Sequence, residues 1–137
     1  MSLLVCGLEL PEEMAWVVGM EVLTGYTEVE RLPSSLVAKV FGEAPDKSWK
    51  FYTLDESRLM TEEWHQESDD GWFGTAPDDI EATQSVLIGE LGYDRPFALD
   101  FRGAIPVVRF MMLDGRWVQI AESAEALLEA LGIRPPS

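Results

Sequence analysis

The chain has one cysteine, one histidine and ten basic residues among its 137, and each scarcity closes off a class of protein. A single cysteine cannot form an intrachain disulfide, so the fold must rest on its core, which suits a reducing cytoplasm as the expected location. Cys6, in MSLLVCGLEL, is expected to be a small buried hydrophobe. His65 sits among acids in EEWHQE with no nucleophile nearby in sequence, and pairing it with Cys6 would need a tertiary accident. No catalytic residue, cofactor or metal ligand is assigned. Bases are outnumbered by 25 acids, which gives a net charge of −15 and a pI near 4.2. Phosphate backbones and anionic membranes would be repelled, so neither nucleic acid nor membrane is an expected partner. No apolar run approaches the ~20 residues that span a bilayer. The opening segment lacks a basic stretch and meets Glu9 early, so it is not read as a signal peptide.

What is present is a core-forming composition. An apolar fraction of 47% with 10% aromatics suits one folded domain over 1–137. The charge is unevenly placed. Asp55 to Glu90 holds 11 acids and one base, Arg58, a net of −10, so two thirds of the charge lies in about a quarter of the chain. A basic protein would be steered toward such a surface, at low salt by roughly 10–10³-fold in on-rate.

Turn residues and periodicity divide the chain further. Pro11, Glu12 and Glu13 mark a helix start, although Trp16, Val17 and Val18 fit a strand as well. YTEVERL alternates like a strand, and Ser34 or Ser35 is expected to cap a short helix that Gly42 stops. WKFYTL reads as a strand, and Asp55 as the cap of a polar helix that packs mainly through Leu59, Met60 and Trp64. From Val86 the pattern is clearest: strands VLIGEL, PFALDFR, PVVRFMML and RWVQIA, with a DG hairpin before the last. Ser123 then caps a closing helix with Leu127, Leu128 and Leu131 on one stripe and Gly132 as its stop. Gly89, Gly92 and Gly103 mark backbone that needs room or a positive φ. The fold class is α+β, an antiparallel sheet flanked by helices. Trp117 is expected in the core, and Asp100 and Arg102 are expected in solvent or paired across the sheet.

The candidate contact residues lie in the acidic third and the turn after it. Asp69, Asp70, Trp72 and Phe73 place aromatics beside paired acids in a long loop, and Asp78 and Asp79 form a second cluster with Glu81. Each has a plainer reading, as aromatics tucked onto the sheet or as acids at a helix start. Neither cluster has calcium-loop spacing. Tyr93 and Asp94 occupy the turn GYDR, where Asp94 bonds backbone or the turn projects Tyr93 beside the loop.

The run IGELGYD, PFALDFR, PVV, DGRW and IAESAEALLEAL resembles the SUKH superfamily of bacterial toxin-immunity proteins and fungal cell-wall regulators. The resemblance covers about Trp49 to Leu131 and is carried by Gly89, Gly92, Asp94, Asp100, Pro106, Trp117 and Ser123. It implies a non-enzymatic α+β domain whose surface captures a protein, typically a toxin domain and often a nuclease. A carboxylate-rich surface could occlude a cationic nuclease site. The expectation is an immunity protein for a basic partner. The alternatives are a small-ligand binder or enzyme with a carboxylate-lined pocket, and a regulatory scaffold.

Overall fold

Alternation in the second half of the sequence becomes four consecutive antiparallel strands in a computed structural model, which describes residues 3–21, 33–42, 49–66, 80–91, 95–112 and 116–133. The elements run β1 (Leu4–Val5), β2 (Leu8–Glu9), α1 (Glu12–Gly19), α2 (Ser34–Phe41), β3 (Lys50–Phe51), α3 (Leu54–Gln66), a 3-10 turn (Ala82–Gln84), β4 (Ser85–Glu90), β5 (Pro96–Asp100), β6 (Val107–Met111), β7 (Trp117–Ala121) and α4 (Ala124–Ala130). Strands β1 and β2 pair as a small hairpin, and the main sheet has the order β3-β4-β5-β6-β7, antiparallel throughout. The fold is α+β.

Alternation sends the strand side chains to two faces, and both are covered. On the first face, Phe51, Val86, Ile88, Phe97, Leu99, Val108 and Phe110 join a core with Met14, Val17 and Val18 of α1, Val37 and Phe41 of α2, and Leu127 and Leu128 of α4. Phe41 is its hub, with ring centroids 5.0 Å from Phe97 and 5.2 Å from Phe110, in tilted and edge-on geometry. On the second face, Leu87, Ala98 and Trp117 pack with Tyr52, Trp64, Ile80 and Ala82. Trp117 stacks on Trp64 at 5.3 Å and is core, as its place in the alternation predicts.

Gly89 is needed because two groups crowd it. A Cβ there would stand 2.5 Å from the Lys50 carbonyl oxygen and against the Phe97 ring, where β4 bulges between Leu87 and Gly89. Gly103 has no such need: its φ is not positive and its added Cβ would meet nothing closer than 3.8 Å.

The helix ends follow local chemistry. The Ser123 side chain accepts from the Ala126 N–H at 3.0 Å, the expected cap of α4, and Leu127, Leu128 and Leu131 are buried. Gly42 stops α2 at φ 81. The start of α2 differs from expectation: Pro33 holds the cap position with no side-chain bond, and both serines fall inside the helix. Pro33 has no N–H to strand, while its carbonyl accepts from Leu36 and Val37. The start of α3 differs too. Thr53, not Asp55, caps it: Thr53 Oγ1 accepts from the Glu56 N–H at 3.2 Å and Glu56 Oε1 accepts from the Thr53 N–H at 3.0 Å. That reciprocal pair is a capping box, and it cuts the expected strand WKFYTL to Lys50–Phe51. The expected strand YTEVERL and the DG turn lie outside the described residues.

Candidate functional site: an acid-rimmed apolar groove

Helix α3 shows how the second face is held. Ser57, Thr61 and His65 follow at intervals of four and so share one stripe. Ser57 Oγ donates to the Leu87 carbonyl at 2.7 Å, Thr61 Oγ1 accepts from the Leu87 N–H at 2.9 Å, and His65 Nε2 lies 2.9 Å from the Ser85 carbonyl. A carbonyl only accepts, so Nε2 carries the proton there. Strand β3 serves β4 at Gly89 and Glu90, and Tyr52 N–H reaches the Ile88 carbonyl. Beyond that point the helix replaces a strand partner with side chains. Each bond contributes about 1 kcal/mol net, and each buried backbone group left open would cost more. Leu59, expected to pack, is 58% exposed, and the polar stripe takes its place.

Asp100 is the second polar anchor of that face. It is only 3% exposed, and four donors of Arg102 and Arg109 reach its carboxylate: Arg102 Nη2 and Arg109 Nε at 2.8 Å, the Arg102 N–H at 3.0 Å and Arg102 Nε at 3.1 Å. Burial pushes this carboxyl upward, but the bonds from Arg102 and Arg109 outweigh it, and it sits below the usual carboxylate range. The expected pairing across the sheet is present, through Arg109 on the neighbouring strand; the expected solvent position is not. A buried carboxylate saturated by two guanidiniums is an architectural lock and has no lone pair aimed at a reactant. Glu56 is also lowered: burial opposes this, and Lys50 at 2.7 Å together with Thr53 outweighs it.

Cys6 is not the buried hydrophobe expected. It is exposed, at φ 51, in the turn between β1 and β2. Partial burial first, and the Glu62 charge second, push its thiol above the ordinary value. Both effects disfavour the thiolate, the nucleophilic form. Among the described residues no group of three or more His, Cys, Asp or Glu could hold a metal ion.

The surface feature the structure adds is a groove on the outer side of α1. Its cavity volume is about 750 Å³. Glu12, Ala15, Trp16 and Gly19 form one stripe of α1 along it, continued by Met20 just past the helix end, opposite the buried Met14, Val17 and Val18. Leu3, Glu9 and Leu10 of the hairpin segment close one wall and Pro106, ahead of β6, another. Met20 at 70% exposure and neighbouring Ile105 at 65% leave large apolar side chains in solvent around it. Glu9 and Glu12, both exposed, line the groove where α1 begins. Of the eight residues in α1 only Glu12 and Glu13 are polar, so the helix is apolar on the face it buries and on the face it leaves open.

The eight contact residues expected from sequence, Asp69, Asp70, Trp72, Phe73, Asp78, Asp79, Tyr93 and Asp94, lie outside the described residues. Glu81, counted with the second cluster, caps the 3-10 turn, where its carboxylate accepts from Thr83 and its carbonyl from Ser85. The sequence leaves MAWVVGM open between helix and strand, so no groove follows from it; the signal it does carry is that, wound as a helix, it has no polar stripe. No family model, curated protein or solved structure matches this chain.

Proposed function

We propose that this is a non-enzymatic binding domain that captures a basic protein and occludes it, acting in the cytoplasm as an immunity protein toward a toxin domain. The observation that carries the reading is the apolar groove rimmed by Glu9 and Glu12 in a chain of net charge −15. Apolar area provides adhesion, and the acidic field provides on-rate and choice of partner. The resemblance of the segment from Trp49 to Leu131 to SUKH domains supports the same class of function. Among the described residues no helix is long and apolar enough to cross a membrane.

The test is affinity capture from native lysate at low salt, eluted by a salt gradient and read by mass spectrometry. A stoichiometric basic protein released at moderate salt, whose activity the purified chain then suppresses, is the expected result. Capture of no protein would defeat the reading. A second reading has one observation behind it: the groove's volume lies within the ~300–1,000 Å³ range of small-molecule pockets. An amphiphilic cation would be its ligand, and binding of such a compound with no protein partner would favour it.

A further inference from the structure

We infer that the groove on α1 seats an α-helical segment of the basic partner, running antiparallel to α1, with its apolar anchors over Ala15, Trp16 and Met20 and its basic turn against Glu9 and Glu12. The inference rests on the protein-binding reading and specifies its contact.

Four observations converge on this occupant. The first is the double apolar character of α1. Met14, Val17 and Val18 are fully in the core, yet Ala15 and Trp16, only half-buried against its edge, continue with exposed Gly19 and Met20 as an apolar groove lining on the other side. A helix apolar all round normally has both sides covered. Second, the lining supplies little backbone hydrogen bonding. Beyond its first turn helix α1 satisfies its own backbone, Pro11 and Pro106 have no N–H, and the Leu10 N–H is already given to the Leu3 carbonyl at 2.9 Å. An added strand would find no ladder, so the occupant must satisfy its own backbone, as a helix does. Third, the floor matches a helix in length. Eight residues of α1 span ~12 Å, or two turns, which fits anchors at i, i+4 and i+7.

The fourth observation is charge. A second copy of this chain would bring Glu9 and Glu12 against a molecule carrying −15, so self-association is opposed and a basic partner favoured. The groove's acids are also confined to the start of α1. Lysine and arginine are best tolerated in the last turn of a helix, where the dipole is negative. Placing that turn beside Glu9 and Glu12 sets the occupant antiparallel to α1.

The experiment uses the full chain and a synthetic peptide helix with leucines at i, i+4 and i+7 and two lysines in its last turn. Binding is followed through the methyl NMR signal of Met20, assigned by its loss in Met20→Leu, and by calorimetry at several salt concentrations. The expected result is saturable binding that shifts the Met20 signal. Met20→Ser and Ala15→Phe should each weaken it about tenfold with the salt dependence unchanged. Glu9→Gln with Glu12→Gln should weaken it less and flatten the salt dependence. Met20 is exposed, so its serine variant keeps the test valid should Ala15→Phe disturb folding.

Equal binding of a peptide with serines for leucines would overturn the groove contact and leave the basic-partner reading standing. Equal binding of a peptide with glutamates for lysines would overturn the basic-partner reading and the assigned polarity. No binding by the leucine and lysine peptide would overturn the helix-in-groove inference.

Discussion

Helix α1 has two polar residues in eight and leaves one largely apolar stripe half-exposed, whereas α3 is polar over most of its thirteen residues and binds β4 through hydroxyls and an imidazole. Composition alone would assign α1 to the interior and α3 to the surface. The difference lies in what each helix meets. α1 packs on α4 and the aromatic core with one stripe, while its other stripe is covered only in part: Ala15 and Trp16 are half-buried at the edge of the core, and Met20 beyond them is in solvent. α3 meets the open edge of β4, whose N–H and C=O groups need hydrogen-bond partners more than apolar area. A partly open apolar stripe is a surface available for binding, while a used polar stripe is part of the fold. Substitutions should therefore separate the two helices, with stability lost on one and binding lost on the other.

The largest effect is expected from Ser57→Ala with Thr61→Val. Together they strand both backbone groups of Leu87, and the loss should be about 3–4 kcal/mol, read as a fall in the urea midpoint at unchanged slope. The two changes should be non-additive because they serve one residue. Asp100→Asn should come next, at about 3 kcal/mol at neutral pH, because it leaves Arg102 and Arg109 without their buried counter-charge.

The pH profile sharpens that prediction. Asp100 and Glu56 both have lowered folded values, so their contribution is complete above the unfolded carboxyl pKa and is lost as pH falls through the folded values. Urea midpoints should hold steady down to about pH 4 and then fall. The fall should be shallower in Asp100→Asn, and an equally steep fall would remove Asp100 from the account. Thr53→Ala breaks one half of the capping box and should cost about 1 kcal/mol in the same titration. Met20→Ser should be smallest, within about 0.5 kcal/mol of the parent, because the side chain is already in solvent. A loss there as large as at Thr61 would erase the contrast between the helices.

Much of the frame was legible before any coordinates. Strict alternation from Val86 to Ala121 specified four strands, because a one-residue slip would turn Phe97, Leu99 and Phe110 out of the core. Ser123 and Gly132 marked the last helix, because a side-chain acceptor and a left-handed residue are local requirements. Thr53 was less legible only because Asp55 competes as a cap two residues later, and the reciprocal bond with Glu56 decided it. Asp100 read as a strand residue that faces water or pairs across the sheet; the second is what the structure has, with Arg109 arriving from β6.

Composition and periodicity thus determined the acidic character, the α+β class, the four strands from Val86 onward and some of the helix ends, all of which depend on near neighbours in the chain. Tertiary structure alone decided that Ser57 and Thr61 meet Leu87 across 30 and 26 residues, that Trp64 stacks on Trp117, and that the second stripe of α1 stays partly open. No local rule reports which of two apolar stripes a fold will bury. That depends on what the rest of the chain brings against them, and here the partly open one lies beside Glu9 and Glu12.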